Sequence, residues 1–136
     1  MIKDADEFYR LRNSELPEEY NRASNESAEL ETWLNVIEKY SDLKVWVIHN
    51  KTIQIEILEK LVKDADPNVR SAVARKRKIN DKIIKLLSND TNENVKYSLI
   101  CNTKMGLEHL NNISTDGSDW FKNELQKKIN EKTLNE

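Results

Sequence analysis

Cysteine, glycine and proline are scarce in this sequence of 136 residues, which contains one, two and two of them respectively. One cysteine cannot form a disulfide within the chain, and this is typical of proteins from a reducing compartment. So few glycines and prolines leave little material for tight turns, while helix-forming residues are abundant. The composition therefore predicts a single domain of the all-α class.

Long apolar runs and a targeting sequence are also lacking. No stretch approaches the roughly 18 apolar residues of a membrane span. Residues 1–7 are acidic, whereas a secretory signal begins with basic residues and continues with apolar ones. We therefore expect a cytoplasmic protein that has no membrane partner.

The spacings of common reaction centres do not occur either. His49 and His109 are far apart and Cys101 is alone, so no metal-ligand spacing is present. Gly106 and Gly117 form neither a phosphate-binding loop nor a dinucleotide fingerprint. We expect no cofactor, no small-molecule substrate and no catalysis. One enzymatic alternative stays open, a helical-repeat DNA glycosylase that would use tryptophans and aspartates in a cleft.

A period of 26 residues organises the middle of the chain. Three segments align without a gap, and Asp64, Asp90 and Asp116 follow them in one column of that alignment. The aligned segments are 43–50, 69–76 and 95–102. Self-similarity at this period is typical of stacked helical hairpins, in which short helices are stable only against their neighbours.

Each repeat reads as two short helices joined by a polar turn. In the second repeat, Val69, Ala72 and Val73 have the spacing of one helical face. The helix after the turn is predicted to bury the apolar residues Ile79, Ile83, Ile84, Leu86 and Leu87. Short acidic or amide side chains before each first helix are predicted to cap it, namely Asp64, Asp66, Asp90 and Asn92.

The segment 64–74, Asp-Ala-Asp-Pro-Asn-Val-Arg-Ser-Ala-Val-Ala, resembles the leucine-rich repeat variant, a bacterial relative of HEAT repeats. That family has the pattern D-x-D-x-x-V-R-x-x-V-A before a leucine-rich helix that ends in Asp. The third repeat departs from it, since the proline is missing and Lys96 replaces the arginine. The resemblance covers about residues 43–122 and implies a right-handed α-α superhelix. The cysteine-ligated cluster of some members is not implied, because only Cys101 is present.

The resulting organisation is one helical-repeat domain, a solenoid of about four repeats. Residues 1–42 are predicted to form an N-terminal cap with a degenerate repeat, and residues 43–121 three regular repeats. Residues 122–136 would form a C-terminal cap helix and tail. Within the N-terminal cap, we expect a helix over residues 4–13 and a second helix that begins at Pro17.

Charge is segregated along the chain although the net charge is only −2. Residues 1–42 carry 5 basic and 11 acidic residues, whereas residues 43–78 carry 9 basic and 4 acidic ones. The remainder is close to neutral. Such asymmetry bears on partners and on electrostatic steering rather than on the fold.

Basic residues recur at the turn between the two helices of each repeat, and stacking would align them along one edge. This predicted basic edge consists of Lys51, Arg75, Lys76, Arg77, Lys78 and Lys104. It could bind an acidic protein surface or phosphates, or it could be a solvated edge that keeps the array soluble. The sequence pI of 5.8 favours a protein partner, because nucleic-acid binding usually accompanies a pI above roughly 9.

Trp46, His49 and Asn50 lie beside the first of these turns and complete the candidate binding site. Trp46 is either an exposed aromatic anchor or part of the core. Asn50 and Asn102 directly follow short helices and are predicted to end them by adopting the left-handed conformation. Cys101 is predicted to be a small buried side chain.

These features predict a non-catalytic scaffold or adaptor that binds an acidic protein on its concave face or its basic edge. A toxin-neutralising protein of the immunity type is one form of such an adaptor. The alternative, which the acidic pI disfavours, is a helical-repeat protein that binds nucleic acid.

Overall fold

The computed structural model describes residues 1–135 and is helical, as the composition predicts. No strand occurs in that range, where Ile2 and Ala28 form an isolated parallel bridge. None of the helices of residues 1–135 has both the length and the apolar character needed to cross a membrane. The chain divides into two compact units, Met1–Leu61 and Val62–Glu136, called here the N-terminal unit and the C-terminal unit.

The N-terminal unit contains five α-helices and one short 3₁₀ turn. They are α1 (Ala5–Arg12), α2 (Pro17–Asn25), α3 (Leu30–Lys39), the 3₁₀ turn Ser41–Leu43, α4 (Lys44–His49) and α5 (Ile55–Leu61). The predicted helix over residues 4–13 is confirmed as α1. It begins directly after Asp4, whose side chain caps it. The predicted start at Pro17 is also confirmed. Phe8 and Trp33 are fully buried and meet edge to face, with ring centroids 5.2 Å apart.

The C-terminal unit contains five further helices whose starts keep the sequence period. They are α6 (Pro67–Ala74), α7 (Asp81–Ser88), α8 (Glu93–Ile100), α9 (Leu107–Asn111) and α10 (Asp119–Leu134). The helices α6, α8 and α10 begin 26 residues apart, and so do α7 and α9. In the N-terminal unit, α5 begins 26 residues before α7. From α5 onward, the positions of helix starts therefore follow the repeat of the sequence.

Two of the four predicted caps, Asp66 and Asn92, are confirmed in the C-terminal unit. The carboxylate of Asp66 accepts a hydrogen bond from the N–H of Asn68 at the start of α6. Asn92 does the same for two N–H groups at the start of α8. Asp64 and Asp90, which lie two residues before these caps, each accept the backbone N–H of the capping residue at 2.9 Å. The segments before α6 and α8 are therefore each held by successive side-chain hydrogen bonds, which fix the residue at which the helix begins.

The core of this unit follows the predicted helical faces, with one exception. Val69 and Val95, which occupy the same column, are both buried. On α7, Ile83 and Leu87 are buried as predicted, but the prediction for Leu86 is wrong, since its side chain is 42% exposed. Each residue advances the helix by about 100°, which places Leu86 outside the apolar stripe.

Candidate binding site

The four residues Arg75–Lys78, here called the basic turn, connect α6 to α7. Arg75 follows the last residue of α6 and keeps a helical conformation. Asn80 ends the connection by capping α7 through the N–H of Ile83. Arg75, Arg77 and Lys78 are exposed, whereas Lys76 is half-buried. The turn thus presents its two guanidinium groups to solvent.

A side chain from the following hairpin holds the backbone of the basic turn. The buried amide of Asn102 donates to the carbonyl oxygens of Ala74 at 2.8 Å and Lys76 at 2.9 Å. Its own oxygen accepts the N–H of Lys104 at 2.9 Å. The ammonium of Lys104 donates in turn to the carbonyl of Ile79. The turn is therefore fixed near its beginning and at its end.

Asn50 makes the same arrangement within the N-terminal unit. Its amide donates to the carbonyl oxygens of Ala23 at 2.8 Å and Glu26 at 3.0 Å, and its oxygen accepts the N–H of Thr52 at 2.8 Å. Asn50 and Asn102 thus each clamp the end of a helix that precedes them by about one repeat. Carbonyl groups at a helix end have no partner inside the helix, and an amide can supply two donors.

The prediction that these asparagines adopt the left-handed conformation is wrong. Asn50 is extended, with φ of −61° and ψ of 130°, and none of residues 1–135 has a positive φ. The amide side chains of Asn50 and Asn102 point into the interior because the backbone carbonyl oxygens that accept their hydrogen bonds lie there. Those acceptors lie 24 to 28 residues away along the chain, so no local sequence rule identifies them.

Arg75 and Arg77 differ from the other arginines in lacking a partner. Three arginines are paired with carboxylates, and one lies over an aromatic ring: Arg10 with Glu19, Arg22 with Glu26, Arg70 with Asp90, and Arg12 over Trp46. The side chains of Arg75 and Arg77 have no ion pair, hydrogen bond or aromatic contact with any of residues 1–135. The two guanidinium groups of this turn are consequently available to a carboxylate or a phosphate of another molecule.

Lys76 contributes less to this positive surface than its neighbours do. Burial lowers the pKa of its ammonium, and the nearby charge of Lys78 lowers it further. Both effects disfavour the charged form. The basic side chains that the turn exposes to solvent are therefore Arg75, Arg77 and Lys78.

The remaining predicted site residues belong to the N-terminal unit. Trp46 is neither an exposed anchor nor a core residue, because the guanidinium of Arg12 lies 3.5 Å from its ring centroid. His49 contacts the same ring edge to face. Lys51 is exposed, and its backbone N–H donates to the carbonyl of Ser24. Within the C-terminal unit the structure therefore brings Lys104 to the basic turn, and within the N-terminal unit it brings Trp46 and His49 together.

A groove of about 250 Å³ lies beside the basic turn, in the C-terminal unit. Its lining residues are Arg75, Tyr97, Ser98, Cys101 and Asn102. The prediction that Cys101 is buried is wrong, because this residue follows the last turn of α8 and is exposed. The neighbouring Cys101 side chain is the main cause of a raised Tyr97 pKa.

Tyr97 is not among the site residues predicted from the sequence, and Trp120 is only one of the tryptophans of the glycosylase alternative. Their rings meet at a centroid distance of 5.1 Å, and 47% of Trp120 is exposed. The signal in the sequence was a difference between aligned positions of the 26-residue repeat. Tyr97 occupies the position that the small, buried residue Ser71 has in the preceding repeat, and its larger side chain is only half-buried.

His109 has a structural role that the sequence did not reveal. Its Nδ1 accepts the N–H of Gly106 at 3.1 Å, and its Nε2 lies 3.3 Å from a carboxylate oxygen of Asp81. Both ring nitrogens are therefore engaged in holding the start of α9. Across residues 1–135, no three histidine, cysteine or acidic side chains are placed to share a metal ion.

Comparison with known proteins found no matching protein family, no similar curated protein and no similar solved structure. The resemblance to the leucine-rich repeat variant accordingly stays a prediction.

Proposed function

We propose that this chain is a non-catalytic scaffold that binds an acidic protein through its basic turn. The observation that carries the proposal is the pair of exposed guanidinium groups, Arg75 and Arg77, without partners among residues 1–135. Unpaired arginines on an anchored turn suit planar, bidentate recognition of carboxylates.

The anchoring of the turn supports a role in binding. Ordering a flexible loop on association costs free energy, and that cost falls when the loop is already held in place. Asn102 and Lys104 hold the backbone of the basic turn before any partner arrives. A single exposed ion pair contributes only about 0–1 kcal/mol. The arginines therefore act chiefly through steering and orientation, and they contribute more where the partner removes them from water.

The same proposal includes the architecture that the sequence predicts, an α-α superhelix of about four repeats with residues 1–42 as a cap. Two observations support it. Helix starts recur every 26 residues, and Asn50 and Asn102, two periods apart, make equivalent pairs of hydrogen bonds. A cytoplasmic adaptor of bacterial type, such as a toxin-neutralising protein, is the form of scaffold that we favour.

A charge-reversal experiment tests the function. The full chain is immobilised and exposed to a bacterial lysate, with and without nuclease, as wild type and as the double variant Arg75→Glu/Arg77→Glu. The matched control is Lys85→Glu/Lys122→Glu, which changes the net charge equally at two other exposed residues. We expect nuclease-resistant proteins to be retained by the wild type and the control and lost from the Arg75/Arg77 variant.

Two results would contradict the proposal. Retention of an unchanged set of proteins by the Arg75/Arg77 variant would show that the basic turn is only a solvated surface. Loss of all retained material after nuclease treatment would favour nucleic acid, and binding should then weaken steeply with salt, with a log–log slope of about 0.7–0.9 per phosphate contact.

A further inference from the structure

An aromatic pair adjoins the groove beside the basic turn. Tyr97 lines the groove together with Arg75, and its ring contacts Trp120. Single exposed apolar side chains are common on protein surfaces, whereas contiguous ones mark interaction sites. Arginine, tyrosine and tryptophan are also the residue types that contribute most to binding energy at protein interfaces. One continuous surface of the C-terminal unit thus combines all three.

We propose that this surface binds a short peptide segment in which an aspartate or glutamate adjoins an apolar or aromatic residue. The carboxylate would pair with Arg75, and the apolar side chain would pack against Tyr97 and Trp120. This inference rests on the proposed function and specifies what part of the acidic partner is recognised.

The size of the groove supports a single side chain as its occupant. Its volume of about 250 Å³ lies below the range of about 300–1,000 Å³ that is usual for small-molecule pockets. The guanidinium of Arg75 can bind a carboxylate in a bidentate manner, since no group among residues 1–135 occupies it. An acidic side chain and an apolar side chain that are neighbours in a peptide can contact Arg75 and the aromatic pair at the same time.

The surrounding charges favour a peptide over a single-stranded nucleic acid. Aromatic side chains with an arginine also form stacking platforms for bases, but such sites include a basic groove that follows the phosphate backbone. Here Glu124, which also pairs with Lys127, adds to the raised pKa of Tyr97 after the larger effects of Cys101 and of burial. Asp119 precedes Trp120 and is exposed. A phosphate backbone that continued along the aromatic pair would meet these carboxylates.

Selection from a displayed library of random peptides tests the inference, with the immobilised full chain as bait. We expect enrichment of peptides that place Asp or Glu beside Trp, Phe, Tyr or Leu. The affinity of an enriched peptide is then measured by fluorescence polarisation for the wild type and for Arg75→Glu, Trp120→Ala and Leu134→Ala. Leu134 is 86% exposed, so its truncation controls for loss of an apolar surface residue.

The expected result is a loss of about tenfold or more for Arg75→Glu and for Trp120→Ala, with little change for Leu134→Ala. Circular dichroism checks that each variant is folded. The inference is overturned if no such peptides are enriched, or if Trp120→Ala binds as the control does. It is also overturned if oligo(dT) binds more tightly than the peptides and depends on Trp120. Lysate proteins that still require Arg75 and Arg77 but not Trp120 would leave the proposed function intact.

Discussion

Replacing Asn102 by alanine removes the clamp on the basic turn while leaving the helices' own hydrogen bonds in place. The substitution deletes two donors, to the carbonyls of Ala74 and Lys76, and one acceptor for the N–H of Lys104. Alanine cannot replace any of these bonds. Because Asn102 is buried, water reaches the three backbone groups poorly after the side chain is removed.

The magnitude follows from the number of bonds. A hydrogen bond contributes a net value of about 0.5–1.5 kcal/mol, and a buried polar group without a partner costs about 1–3 kcal/mol. The bond to Ala74 is fully buried, and the other two are partly buried. We therefore expect Asn102→Ala to lower the free energy of unfolding by about 2–4 kcal/mol, a large part of the total stability of a domain of this size.

Urea unfolding monitored by circular dichroism measures the effect, with Asn112→Ala as the matched control. Asn112 is exposed, and its amide donates only to the carbonyl of Glu108 one turn earlier. Its replacement should change the free energy of unfolding by less than about 0.5 kcal/mol. Hydrogen exchange should also show that the N–H of Lys104 loses protection in Asn102→Ala. Equal effects of the two alanine substitutions would refute the clamp.

Three further changes probe other contacts of the fold. Asp90→Ala removes the carboxylate paired with the largely buried Arg70, whose guanidinium then keeps two backbone carbonyl acceptors, so we expect a loss of about 3 kcal/mol in urea unfolding; a loss below about 1 kcal/mol would contradict this. Leu87→Ala should cost about 2–5 kcal/mol and Leu86→Ala under about 1 kcal/mol, because only Leu87 is buried, and similar costs would mean that the helical register is wrong. The Glu26 carboxylate accepts hydrogen bonds from the Arg22 guanidinium, which has the larger effect, and from the N-terminal ammonium. These bonds lower its pKa from 4.5 to about 2. Its contribution is therefore present above pH 4.5 and lost as the pH falls toward 2, so the stability difference between wild type and Glu26→Gln should shrink over that interval.

Local sequence signals predicted much of the backbone because their physical causes are local. Asp66 and Asn92 cap helices through N–H groups two or three residues ahead, and Pro17 suits a first helical turn. The repeat then placed the other helix starts, because equivalent side chains recur at equal intervals. Burial of Val69 and Val95 follows from the same periodicity.

The failures concern side chains whose partners lie far along the chain. Asn102 lies 28 residues from the carbonyl of Ala74, and Arg12 reaches Trp46 from a different helix. The basic turn was identified from the repeat alignment and its basic residues, but the distinction between paired and unpaired arginines requires the structure. The contact of Tyr97 with Trp120 likewise depends on how α8 and α10 pack.

Lys76 connects the stability of the basic turn with its proposed function. It stands in the column of Asn50 and Asn102, yet it is a half-buried lysine whose pKa is lowered, first by burial and then by Lys78. A lysine whose folded-state pKa lies below its ordinary 10.5 is destabilising while charged, and that cost disappears as the pH rises through the folded-state pKa to 10.5. Lys76→Met should therefore raise the melting temperature at neutral pH, and this gain should shrink toward pH 10.5. If Lys76→Met is less stable at neutral pH, the lysine is needed for its own contacts. If it is more stable but binds the acidic partner less well, a charge that destabilises the fold serves binding.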